Sequence, residues 1–281
     1  MTMMTAHKPA SGPMEPITQG KEMARPRLAE NETTRWMGVD FQAMPTDEAV
    51  KSVIAFAMGD PEFSYVVTPN VDHMLRLHDS EAFRDMYSEA GLILNDSRVL
   101  QTLAARDSIE LPPSPGADIV AGLLEELDRE IPISVIGCSS DQIEMLKERY
   151  GFKTIHHYEP PMGLRKKPDE VVKTAAFMAN HPAAIHFICV GSPQQEMVAL
   201  AAKLRGDVKG VGLCVGASID FLTGKVERAP KWLRQARLEW LHRLVSEPRR
   251  MTRRYLIDGP RIFKLWSEHR KADKPSSDGA D

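Results

Sequence analysis

Residues 184–216 read AIHFICVGSPQQEMVALAAKLRGDVKGVGLCVG. Ala184 to Val190 is an apolar run of strand length, and Ser192 to Leu204 is rich in the residues that favour a helix. Gly210 to Val215 is a second apolar run. The turn Gly191-Ser192-Pro193-Gln194-Gln195-Glu196 that joins the first strand to the helix admits two readings. In one, Ser192 caps the helix, Pro193 takes its first position and Gln195 completes a capping box. In the other, the free amides of the same helix start receive diphosphate oxygens, and the Gln195 amide reaches a sugar hydroxyl.

The strand and helix alternation extends outward in both directions. Thr46 is placed to cap a helix running to Met58, with Asp47 and Glu48 in its first turn where the helix dipole favours acids. Phe63 to Thr68 (FSYVVT) is a buried strand that Pro69 ends, and a single helix is expected from Asn70 to Glu89. Gly91 to Leu94 forms a short strand, stopping at Asn95-Asp96-Ser97-Arg98, where another helix begins. The three prolines of LPPSPG, residues 111–116, remove backbone donors and make a loop. Beyond it come a helix at Asp118 to Arg129, a strand at Ile133 to Gly137 and a helix to Tyr150 opened by a Ser139/Gln142 capping box. A short strand at Lys153 to His156 and a helix from Pro168 to Asn180 complete the pattern. Such alternation from residue 63 to residue 216 predicts a mostly parallel sheet flanked by helices, a Rossmann-like α/β fold. In such folds ligands gather at the carboxyl ends of the strands. That edge holds Thr68-Pro69-Asn70, Asn95-Asp96, Gly137, Gly191 to Glu196, and Gly216.

Within the 281 residues, 42% hydrophobic and 27% charged residues are those of a globular protein, and no run approaches the ~18 apolar residues of a membrane span. Residues 1–33 lack the apolar core of a secretory signal and are expected to be a flexible leader, with 34–224 the α/β core and 267–281 a flexible tail. Cys138, Cys189 and Cys214 lie in or beside apolar strands without C-x-x-C spacing, as buried thiols of a reduced compartment do. Residues 225–266 are expected to form a basic amphipathic helical appendage. From Lys225 to Lys274 there are fifteen Lys or Arg against six Asp or Glu. The net +9 there leaves −12 elsewhere in a chain of net charge −3. A positive field of that kind attracts phosphates, whether in a nucleotide, a lipid diphosphate or a bilayer surface.

Asp96, directly after a strand, could act as a general base toward a hydroxyl nucleophile, or could cap the following helix. Thr68 and Asn70 could hydrogen-bond a sugar or base edge, although an ordinary cap is the simpler reading of Asn70. The sequence contains no Asp-x-Asp pair, no H-x-x-x-H, no G-x-S-x-G elbow and no Walker loop. Gly212-x-x-x-Gly216 lacks the dinucleotide spacing. Metal-assisted and cofactor chemistry therefore have no motif, and arginine is left to stabilise a leaving phosphate.

Taken together, VVTPN (66–70), NDSRV (95–99), GSPQQE (191–196) and above all residues 215–255, VGASIDFLTGKVERAPKWLRQARLEWLHRLVSEPRRMTRRY, resemble the WecG/TagA/CpsF family of bacterial glycosyltransferases. The resemblance covers roughly residues 40–265. It implies an inverting, metal-independent enzyme that moves a sugar from a UDP-sugar to a polyprenyl-diphosphate-linked acceptor at the cytoplasmic membrane face, in cell-surface polysaccharide synthesis. By motif, Asp96 resembles the catalytic base, Thr68 and Asn70 the active-site Thr-x-Asn, and Gln195 the glutamine of P-x-Q-E. Arg228, Arg243, Arg250, Arg253 and Arg254 match the basic segment expected to close over the donor diphosphate. The sequence departs from the family where Ser97 replaces the glycine of A-D-G and where Pro113 occupies an arginine position, for which Arg98 or Arg106 could substitute. A second class, a noncatalytic module that binds nucleic acid or other anions through its basic end, predicts salt-sensitive affinity indifferent to nucleotide sugars. It would want aromatic side chains interleaved for base stacking, which are not evident outside the packed stripe of the appendage.

Overall fold

A computed structural model describes residues 33–59, 61–225 and 259–272. The chain enters through an antiparallel hairpin, β1 (Thr33–Trp36) and β2 (Val39–Gln42), with Trp36 opposite Val39. Met37 and Gly38 both have positive φ, as a two-residue hairpin turn requires. Helix α1 (Thr46–Met58) follows, starting one residue earlier than expected, since Pro45 and not Thr46 occupies the N-cap position.

Six further strands form one sheet: β3 (Ser64–Val67), β4 (Leu92–Ile93), β5 (Ile133–Ile136), β6 (Ile155–Tyr158), β7 (Ile185–Ile188) and β8 (Val211–Cys214). Their order is β4-β3-β8-β7-β5-β6, with every pairing parallel. The sixth strand lies two residues beyond the expected Lys153 to His156. Alternate side chains enter opposite layers, as the period of a strand dictates. Val66, Val135, Phe187 and Leu213 pack with α1, α5 (Gly116–Glu126), α6 (Ser140–Tyr150) and α9 (Ser218–Leu222). Tyr65, Val67, Ile136, Ile188 and Cys214 face α2 (Val71–Asp79), α3 (Glu81–Ser88), α4 (Arg98–Ala105), α7 (Pro168–Asn180) and α8 (Gln194–Arg205). Both faces are covered, which explains why the strands read as continuous apolar runs.

The single helix expected from Asn70 to Glu89 is two helices. Ser80 ends α2 and then caps α3, its hydroxyl accepting from the Phe83 amide. The capping box at the start of α6 is present, with Gln142 Oε1 accepting from the Ser139 amide at 3.0 Å. The one buried histidine of the sheet, His186, holds the Lys209 carbonyl through Nε2 at 3.0 Å, while its Nδ1 has no hydrogen-bond partner. Burial lowers its pKa to about 4.

A last helix, α10 (Gly259–Ala272), lies against α2 and buries Ile262 in the same layer. It continues six residues past Trp266, into the segment expected to be a flexible tail. Asp107 fastens it. One carboxylate oxygen accepts from the indoles of Trp36, at 2.8 Å, and Trp266, at 2.7 Å, and the other meets Arg270 Nε at 3.1 Å. The expected leader and most of the basic appendage lie outside the described residues.

Candidate active site

The sheet chooses the site by its connections. From β5 the chain leaves through α6 on one face, and from β7 it leaves through α8 on the other, so the crevice between diverging connections opens at their carboxyl ends. Along this rim lie, in order, the ends of β4, β3, β8, β7 and β5. Two strands separate β4 from β7, so roughly 14 Å of rim divides Asp96 from Gly191.

At the β4 end, Asn95 is buried and stitches the turn. Its Nδ2 donates to the Leu111 carbonyl at 3.1 Å, its Oδ1 accepts from the Ser97 amide at 2.8 Å, and its carbonyl accepts from Ser114 at 2.7 Å. Ser97, not Asp96, caps α4, with its hydroxyl accepting from the Leu100 amide. The reading of Asp96 as the cap of the following helix is therefore replaced by Ser97. Asp96 is half-buried, and its amide is held by the Pro69 carbonyl at 3.0 Å, which ties the β4 turn to the β3 turn.

Thr68 is buried at the end of β3, against Gly116. A Cβ at Gly116 would stand 3.1 Å from Thr68 Oγ1, so the glycine makes room for the threonine. Asn70 is the N-cap of α2: its Oδ1 accepts from the amides of Asp72, at 3.1 Å, and His73, at 3.5 Å.

The β7 turn does not form the expected capping box. Pro193 stands at the N-cap of α8 without a side-chain cap, and the Ser192–Pro193 peptide is cis. Ser192 Oγ instead accepts from Arg76 Nη1 at 3.1 Å, across 116 residues of sequence. Gln195 is 3% exposed and points into the protein: Oε1 accepts from the Gly216 amide at 2.8 Å, and Nε2 donates to Glu196 Oε1 at 3.0 Å. It thus joins the β7 and β8 turns. Gly191 has φ +74°, and a Cβ built on it would have no neighbour within 4 Å, so the rim is open above it. At Gly137 the opposite holds, with the Cys189 carbonyl 3.1 Å from the same point.

Sequence reasoning placed Glu196 on this edge without giving it a role, and overlooked Arg76. Glu196 is fully buried, and its Oε2 has no hydrogen-bond partner. Burial raises its pKa, with Gln195, its own backbone, Ser192 and Arg76 acting the other way. Arg76 also pairs with Asp72 at 2.7 Å, and the i,i+4 spacing of that pair on one helix was the signal in the sequence. Of the two arginines considered for the Pro113 position, Arg106 lies over the Trp266 ring, 6.0 Å from its centroid, beside the Asp107 clasp. Arg98 is exposed at the first residue of α4, two residues from Asp96. The three cysteines are free thiols beside the ends of β5, β7 and β8. A hydrogen bond with Cys138, followed by burial, raises Cys189, and burial raises Cys214.

Arg228, Arg243, Arg250, Arg253 and Arg254 lie outside the described residues. The segment that carries them starts after Lys225, whose Nζ is 3.1 Å from Gln142 Oε1 and 3.7 Å from Asp220 at α9. Among the described residues no helix is long and apolar enough to cross a membrane.

A six-stranded parallel sheet with helices on both faces defines a Rossmann-like α/β protein, and an acid, capped helices and an open glycine turn lie along its carboxyl rim. The chain belongs to the WecG/TagA/CpsF family of glycosyl transferases, whose family model matches residues 34–275. It is therefore a glycosyltransferase of cell-surface polysaccharide synthesis.

Proposed function

We propose that this glycosyltransferase moves a sugar, with inversion and without a metal ion, from a UDP-sugar to a saccharide linked to polyprenyl diphosphate. The donor lies across the rim with its diphosphate toward Gly191 and the start of α8. Asp96 removes the proton from an acceptor hydroxyl, whose oxygen attacks the anomeric carbon opposite the departing UDP. Thr68, Asn70 and Gln195 belong to the donor pocket, the latter two through the turns they hold. Arg228, Arg243, Arg250, Arg253 and Arg254 offset the charge that develops on the leaving diphosphate, the electrostatic task that a cation performs elsewhere. The same basic segment rests on the anionic inner face of the cell membrane, where the lipid acceptor resides.

The observation that carries this reading is the state of Asp96. It is half-buried at the carboxyl end of the sheet, directly after β4, and the helix beside it is capped by Ser97 instead. Partial burial is the setting in which a carboxylate becomes a useful base. The test is release of UDP from a panel of UDP-sugars by the full chain, with a polyprenyl-diphosphate-linked acceptor and with EDTA present. Turnover with one donor, resistant to EDTA, is expected. Turnover only with a different class of donor would overturn the donor assignment, and loss of activity in EDTA would overturn the metal independence. Flotation with anionic vesicles tests the membrane contact, which charge reversal at Arg250, Arg253 and Arg254 should abolish.

A further inference from the structure

We infer that Arg76 is a diphosphate-binding residue of the rim, an inference that rests on the proposed transfer from a UDP-sugar. Arg76 sits on the second turn of α2, and a helical side chain leans toward the N-terminus of its helix. This guanidinium does so: Nη2 reaches back one turn to Asp72 at 2.7 Å, and Nη1 reaches Ser192 Oγ at 3.1 Å. It therefore stands at the level of the strand ends, beside the turn whose Gly191 leaves open space. Two of its five N–H groups make these bonds, and its side chain is 37% exposed, so the fork has donors left for a ligand.

The surroundings call for such a donor. Asp72, Asp96 and Glu196 are all acids on or under the rim. A ligand carrying two or more negative charges needs a fixed cation among them, and a guanidinium binds adjacent phosphate oxygens in pairs. The Asp72 bond and the Ser192 bond hold the fork in place before the ligand arrives, which lowers the cost of ordering it. Two diphosphates could present this chemistry, that of the nucleotide donor and that of the lipid acceptor.

The experiment is titration calorimetry of the full chain, wild type, Arg76→Gln and Arg76→Lys, with UDP, uridine and farnesyl diphosphate. Arg76→Gln should weaken UDP by about tenfold or more, the worth of one lost charge-assisted contact, and leave uridine within about twofold. Arg76→Lys, which keeps the charge and loses the fork, should fall between wild type and Arg76→Gln. A loss confined to farnesyl diphosphate would support the same inference and assign the contact to the acceptor. A folded Arg76→Gln that binds both diphosphates as the wild type does would overturn it. So would an equal loss for uridine and UDP, since that is what a merely structural arginine produces. If Arg76→Gln does not fold, the UDP-to-uridine comparison is read from Arg76→Lys, and an unchanged ratio there overturns the inference. Binding that depends on Arg76 in a chain that turns over no UDP-sugar would leave this inference standing and sink the transferase mechanism instead.

Discussion

The rim and the Asp107 clasp are built from the same materials, carboxylates facing arginine and neutral N–H donors, and end in opposite conditions. At the clasp, two indoles and the Arg270 guanidinium fill the oxygens of Asp107, and α10 is locked to the hairpin and α4. At the rim, buried side chains are spent on holding turns, as Asn95 and Gln195 are, while Glu196 keeps an oxygen without a hydrogen bond and Asp96 stands half-buried beside a capped helix. Matching every lone pair makes a joint. Leaving a buried carboxylate oxygen such as that of Glu196 without a hydrogen bond, near the open turn at Gly191, is what sets the rim apart from the clasp.

The largest effect expected from this contrast falls on Asp96. Asp96→Asn keeps the shape of the turn and removes the base, so kcat should drop by about 10²-fold or more with donor KM and Tm little changed. Near-full turnover would break the contrast, because a rim carboxylate would then be as structural as Asp107.

His186 sharpens the comparison from the interior, since one of its nitrogens is matched and the other is not. Its folded pKa, about 4, is depressed below the ordinary value of 6.5. A depressed pKa contributes stability that is complete above the unfolded value and is lost as pH falls through the folded one. Between pH 6.5 and 4 the protein should therefore lose about 3 kcal/mol from this group. Denaturant unfolding of the wild type and His186→Gln across that range checks it: the substitution should flatten the slope, and parallel curves would show that the imidazole does not charge on unfolding.

At the clasp, Asp107→Ala strands two indole N–H groups and frees Arg270, which should cost about 2 kcal/mol of stability. Its signature is the reverse of Asp96→Asn, a lower Tm with chemistry less affected per molecule folded. A variant with full Tm and hundredfold lower kcat would show that the clasp works in the reaction and does not merely fasten α10.

The layered fold was legible because apolar runs such as FSYVVT and AIHFICV are what strands covered on both faces must be. The hairpin was not, because Trp36 and Phe41 pack into a core supplied by residues distant in the chain. Ser80 broke a helix that periodicity ran through, since a cap residue inside an amphipathic pattern looks like any polar position. At the rim, the sequence placed the turns at the strand ends and misread how the β7 turn is held. Ser192 followed by Gln195 has the local form of a capping box, but its partners, Arg76 and Gly216, are 116 and 21 residues away. Local pattern cannot rank a nearby amide against a distant guanidinium, and only the folded sheet brings the latter close.

The smallest effect concerns Glu196. Its pKa is raised by burial, so the folded state holds that proton more tightly than the unfolded one does. Here the sign is opposite to that of His186. Below the ordinary glutamate range both states are protonated and nothing is lost, and as pH rises through the folded value the carboxyl ionises where one oxygen has no hydrogen bond. Glu196→Gln should thus match the wild type at acid pH and exceed it at neutral pH, by the order of ~1 kcal/mol typical of one substitution. Scanning calorimetry at the two pH values measures the difference. If Glu196→Gln were instead less stable at neutral pH, the ionised carboxylate would be a well-matched partner of Arg76, and the rim would be a second joint like the one at Asp107.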